Sequence, residues 1–199
     1  MRIKINVQIF AAIIIFILTK QIEIYAVLMF FALIHELAHM CAGLMLKLKP
    51  EVLEIQPFGI GIIFKSFENT EKNKIIIAIA GPLINLIIAV IFVYIGAKEI
   101  IINANIILAL FNLIPIYPLD GGRILKSIIV MRHKKEIAED ILNKVSNIIM
   151  IIITVVSSIL ILIYKNIGLF IIIIYLWIIV IKENNRYMLK KRINKILEK

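Results

Sequence analysis

Cysteine occurs once in this 199-residue chain, at Cys41, so no internal disulfide framework can form and no cysteine cluster can hold a metal ion. Cys41 is expected to be a small thiol in the core. Acidic residues are also scarce, 13 against 23 Lys and Arg, which leaves a formal charge of +10. The basic residues are dispersed and lack the aromatic interleaving of a nucleic-acid surface, so nucleic acid is not an expected partner. Only 18% of the residues are charged. Beside several membrane spans the chain has no room for an additional soluble domain of ordinary size.

Apolar residues are what it has in abundance. They make up 62% of the sequence, and the mean hydropathy is +1.01. Soluble domains hold roughly 45 to 50%. The expected class is an all-α polytopic membrane protein embedded in the lipid bilayer. A span needs about 20 apolar residues, and runs near that length cover residues 5 to 19, 24 to 46, 75 to 97, 100 to 118, 148 to 164 and 167 to 181. These predict about six transmembrane helices. No small-residue cleavage site follows Leu18, so the first run is read as a retained helix rather than a signal peptide. The expected division is a membrane-embedded domain over 1–181 and a short basic tail over 182–199.

Charge orients these spans. With a cytoplasmic N-terminus, the inner segments carry 20 of the 23 Lys and Arg residues, and the outer connections hold only Lys20, Lys98 and Lys165. That asymmetry predicts cytoplasmic termini at both ends.

Inside the second run stands His35-Glu36-Leu37-Ala38-His39. Two imidazoles four residues apart point from one face of a helix, so both can bind one zinc ion while Glu36 sits beside the attacking water. An ionisable group at the centre of a span costs roughly 2.5 to 3.5 kcal/mol, which argues against a chance occurrence. A catalytic zinc normally takes three protein ligands, so a third must come from elsewhere. His133 lies in the basic stretch 131–135 and reads as a solvated loop histidine. Asp120 closes the segment Asn112-Leu113-Ile114-Pro115-Ile116-Tyr117-Pro118-Leu119-Asp120-Gly121-Gly122. Asp-Gly-Gly alone is a common turn. The two prolines prevent a regular helix and free backbone groups, which at membrane depth is tolerated only in a protein-lined or wet cavity.

Together these residues resemble the site-2 intramembrane zinc metalloproteases, peptidase family M50. The resemblance rests on HELAH at 35–39, NLIPIYPLDGGR at 112–123 and AIAGPLINL at 78–86, a Gly-Pro-x-x-Asn helix, and covers about residues 24 to 147. It implies that Asp120 is the third zinc ligand and that Asn112 bonds the substrate backbone. From the residues alone, Asn112 could equally form a helix-packing hydrogen bond. Pro118, placed with Asn112 at the substrate side, chiefly shapes the backbone before Asp120. Gly81-Pro82 with Asn85, taken alone, reads as a packing and kink feature.

Within the family the chain is most similar to the sporulation branch, that of stage IV sporulation protein FB. Many members of that branch carry a cystathionine-beta-synthase domain, for which residues 182–199 are too short. The branch implies a sporulation sigma-factor precursor as substrate, regulated intramembrane proteolysis, membrane inhibitory or regulatory partners, and a membrane surrounding the forespore.

The chemistry follows from the residue types. Zinc on His35, His39 and Asp120 lowers the pKa of water to about 7. Glu36 takes the proton and returns it to the leaving amine as general acid. A membrane metal-binding or transport protein is the alternative class. Such a protein needs further polar residues on other spans, and those from Ile148 onward have almost none.

A helical substrate must also be unwound. Glu51 to Phe64, around Pro57, Phe58, Gly59 and Gly61, predicts a short membrane-associated β-hairpin, which either accepts substrate by strand addition or is an ordinary surface hairpin. Residues 132 to 147 predict a separate interfacial amphipathic helix.

Overall fold

The computed structural model describes residues 2–5, 10, 13–14, 17–18, 20–56, 59–64, 70–164 and 167–197. They form three strands and six helices: β1 (Arg2–Ile5), α1 (Ile22–Met45), β2 (Pro50–Gln56), β3 (Gly59–Phe64), α2 (Glu71–Tyr94), α3 (Glu99–Asn112), α4 (Asp120–Val130), α5 (Lys135–Tyr164) and α6 (Ile167–Leu197). The chain divides into two units, Met1–Leu113 and Ile114–Lys199.

In the first unit α1, α2 and α3 pack on one another, and α1 also packs against β3. The helices meet through small residues: Ala32 and Gly43 on α1, Ala78, Gly81 and Ala89 on α2, Ala104 and Ala109 on α3, all buried. Small side chains let membrane helices approach closely, where no hydrophobic force drives them together. Large apolar residues such as Leu83, Ile87, Val90 and Ile91 face outward, as lipid solvation allows.

Both long helices of this unit end in the same way. After α1, Lys47 takes φ +61 and Leu48 N–H donates to Gly43 O at 2.9 Å. After α2, Gly96 takes φ +66 and Ala97 N–H donates to Phe92 O at 3.0 Å. This six-to-one closure satisfies carbonyls that the helix leaves open. At its start α2 is capped by Thr70, whose hydroxyl accepts from Asn73 N–H at 3.3 Å.

The strands form one sheet in the order β1-β2-β3. β2 and β3 run antiparallel from Pro50↔Phe64 to Gln56↔Gly59. The turn residues Pro57 and Phe58 lie outside the described residues. β1 pairs parallel with β2, Arg2 opposite Val52 and Ile5 opposite Ile55, so β2 is an inner strand rather than an available edge. This third strand was not expected.

In the second unit α5 packs against both α4 and α6. Its core holds Ile116, Ala138, Leu142, Met150, Leu176 and Val180. Polar pairs tie α5 to α6: Trp177 Nε1 donates to Thr154 Oγ1 at 2.8 Å, Asn184 Nδ2 to Asn147 Oδ1 at 3.4 Å, and Tyr187 OH to Asp140 at 3.1 Å.

Among the described residues three helices are long and apolar enough to cross a membrane, α1, α2 and Lys135–Ile159 of α5. Most of the first predicted span lies outside the described residues. The fourth is shorter than expected: α3 stops at Asn112, and the stretch to Leu119 is non-helical because Pro115 and Pro118 interrupt it. The amphipathic segment from 135 is continuous with the fifth span in one 30-residue helix, since nothing between them breaks the helical pattern. The basic tail likewise continues α6 through Leu197.

Cys41 corrects an expectation. It is exposed, not in the core. Two residues past His39 a helix has turned about 200°, so position 41 faces away from the side that α1 buries.

Candidate metal centre

The apolar run that makes α1 a helix sets His35 and His39 one turn apart on its buried face. Each is 3% exposed, and their rings meet edge to face with centroids 4.7 Å apart. His39 Nδ1 lies 2.6 Å from the carbonyl oxygen of Ile77 on α2. A carbonyl only accepts, so Nδ1 carries the proton and Nε2 keeps its lone pair, the tautomer a metal ligand needs.

Gly81 stands one turn further along α2. A Cβ at this position would lie 2.5 Å from Nε2 of both His35 and His39. The α2 backbone therefore closes directly over the two ligating nitrogens, and only glycine permits that approach. Glu36, beside His35 on α1, is half-buried.

In the second unit Asp120 is the first residue of α4 and 4% exposed. A helix N-terminus favours a carboxylate there, and Arg123 Nη1 lies 3.7 Å from its Oδ1. The preceding loop is tightly made. Leu119 N–H donates to Ile116 O at 2.8 Å, Tyr117 N–H to Ser146 Oγ at 3.4 Å, and the Tyr117–Pro118 bond is cis. A Cβ at Gly122 would meet the Ile116 carbonyl carbon and oxygen at 2.5 Å. Gly122 thus admits the loop onto α4.

His35 and His39 in the first unit and Asp120 in the second are each buried side chains of metal-ligating type. Two imidazoles and a carboxylate are donors that zinc accepts, and three protein ligands leave a position open for water or substrate. The His39 hydrogen bond and the Gly81 approach suit this donor set. His133 is exposed, on the turn between α4 and α5. Asn112 ends α3 with its Nδ2 donating to Leu108 O at 2.9 Å, and Pro118 is half-buried in the loop before α4.

Residues 99–156 match the model of Peptidase family M50. That stretch contains Asn112, Pro118 and Asp120. A Synechocystis sp. protein whose name is that of a zinc metalloprotease is 34% identical over 118 residues, 53% of this chain and 31% of its own length. A Methanocaldococcus jannaschii zinc metalloprotease is 32% identical over 111 residues, 50% of this chain and 32% of its own length. The chain spans about a third of the length of these two relatives. The solved structure of the site-2 protease from Methanocaldococcus jannaschii superposes with a TM-score of 0.71 at 21% identity, covering 91% of this chain and 89% of that one. The fold is similar to that of this Methanocaldococcus jannaschii protein.

Two features of the site escaped the sequence reading. The Ile77 carbonyl carries no side-chain signature. Gly81 was visible only as part of Gly-Pro-x-x-Asn, whose packing sense hid its approach to the histidines.

Proposed function

We propose that this chain is an intramembrane zinc endopeptidase that hydrolyses a peptide bond in or near a membrane-associated segment of a regulatory protein. The observation that carries the reading is the buried histidine pair with Gly81 closed over both Nε2 atoms. A structural histidine pair has no use for a backbone approach at its ligating edges.

In this reading His35, His39 and Asp120 hold zinc, with His39 oriented by the Ile77 carbonyl. When bound, zinc supplies a Lewis acid and makes water acidic near neutral pH. Glu36 accepts a proton from the attacking water and passes it to the leaving nitrogen. Asn112 and Pro118 lie on the substrate side, Asn112 through its carboxamide. The apolar walls of α1 and α2 exclude bulk water, so these groups act in a medium of low dielectric.

The proposal extends to topology and branch. Six spans, a membrane domain over 1–181, a basic cytoplasmic segment over 182–199 and a site open to the cytoplasm account for the charge asymmetry. A sporulation sigma-factor precursor is the substrate that the sporulation-branch resemblance supports, with membrane regulatory proteins as partners.

The test is co-expression with candidate membrane-associated precursors. Cleavage should occur with the native chain and cease with Glu36→Gln while zinc is retained. Zinc binding without any Glu36-dependent cleavage of the precursors would favour a metal carrier instead.

A further inference from the structure

Asn85 is completely buried on α2, and among the described residues neither its Nδ2 nor its Oδ1 has a hydrogen-bond partner. Several other polar side chains on the helices satisfy their donor locally, although Asn105 Oδ1 is also unbonded among the described residues. Asn105 donates to Ile101 O, Asn112 to Leu108 O and Thr154 to Met150 O, each to the carbonyl four residues back. Asn85 does not turn back to its own helix. A buried carboxamide with both ends unbonded in an apolar helix layer destabilises the fold, so its retention calls for a ligand.

Its place on α2 says which ligand. Ile77, Gly81 and Asn85 follow at four-residue intervals on one face of the helix. Ile77 holds His39, and Gly81 abuts Nε2 of both histidines. Asn85 comes next, about 6 Å further along the axis at 1.5 Å per residue. An extended peptide advances about 3.3 Å per residue. A chain whose scissile bond lies at the histidines therefore presents, one or two residues away, a peptide group level with Asn85. A peptide group offers one acceptor and one donor, the complement of a carboxamide. The burial of Asn85 is no obstacle, because His35 and His39 are almost equally buried and whatever admits substrate to them admits it to the next turn.

We propose that Asn85 is a substrate-binding residue that hydrogen-bonds the backbone of the peptide one or two residues from the bond cleaved. The inference rests on the peptidase reading of the same site. It adds a backbone anchor that reads no side chain, and so predicts broad tolerance of substrate sequence at that position.

The test separates this role from a structural one. The probe is a fluorescein-labelled 20-residue Leu/Ala membrane peptide with a central Gly-Gly, in detergent micelles, bound to the uncleaving Glu36→Gln protein and followed by anisotropy. Adding Asn85→Leu should weaken binding about tenfold, the worth of one or two neutral hydrogen bonds. It should leave zinc content unchanged. It should also raise the melting temperature of the metal-free protein, because an unbonded carboxamide has been replaced by an apolar side chain of similar volume. Asn85→Ser, smaller and keeping one hydroxyl, should weaken binding about threefold, an intermediate loss for a single weak hydrogen bond. Unchanged affinity in both variants overturns the proposal. So does a lower melting temperature with lost zinc, which would make Asn85 a structural residue. Failure of the peptidase reading is seen separately, as no cleavage of the same peptide by the native chain, with Glu36 and Asn85 both intact.

Discussion

The Nδ1 atom of His39 lies 2.6 Å from the carbonyl oxygen of Ile77, thirty-eight residues away in sequence. This bond fixes the imidazole tautomer and ring orientation, and with it the direction of the Nε2 lone pair. The carbonyl belongs to the backbone, so no substitution at Ile77 removes it directly. Its consequences are tested through the residues around it.

Gly81→Ala is expected to abolish metal binding without unfolding the chain. The new Cβ would lie 2.5 Å from both Nε2 atoms, whereas alanine elsewhere favours a helix over glycine by roughly 0.8 to 1.0 kcal/mol. Zinc content measured on purified protein should fall from about one per chain, the stoichiometry of a mononuclear site, to a small fraction, with circular dichroism unchanged. Full zinc occupancy would mean that the helices separate easily at this point.

Each of His35→Ala, His39→Ala and Asp120→Ala should lower zinc affinity by at least about 100-fold, more than the 10- to 100-fold loss typical of changing an outer-shell partner. His133→Ala should leave it unchanged. Competition with a chelator of known affinity gives the comparison. Metal retention in Asp120→Ala with loss in His133→Ala would move the third ligand.

Glu36→Gln preserves size and hydrogen-bonding reach but cannot take a proton at useful pH. Turnover of a cleavable membrane peptide should fall about 100- to 10,000-fold, the usual contribution of a general base, with zinc unchanged. Concurrent loss of zinc would identify Glu36 as a ligand instead.

Gly122→Ala should destabilise the second unit. Its Cβ would stand 2.5 Å from backbone atoms of Ile116, and the loop cannot yield as a flexible side chain would. A loss of about 1 to 3 kcal/mol is expected, the range for overpacking a well-filled contact. Denaturant titration should register it, together with weakened zinc binding if Asp120 is a ligand.

Sidedness can be read with single cysteines in a Cys41→Ala background, a change made necessary because Cys41 is itself exposed. Lys98→Cys, between α2 and α3, should react with an impermeant thiol reagent in intact cells. Lys134→Cys, before α5, should be protected. The reverse pattern would invert the proposed topology and remove cytoplasmic precursors from the substrates.

Composition and the lengths of apolar runs determined the membrane class, because the bilayer tests each segment almost independently of the others. The same local logic set α1 and the four-residue spacing of His35 and His39, since helical period is a property of consecutive residues. The end of α3 before Pro115 and Pro118 was also written locally, in a ring that lacks an N–H. Other features depended on residues far apart. The parallel pairing of Arg2–Ile5 with β2 follows from a partner that no short window contains. Above all, tertiary structure decided that Gly81 lies against two imidazole edges and that the Ile77 carbonyl holds His39, because a glycine and a backbone oxygen have no side chain to announce what will approach them.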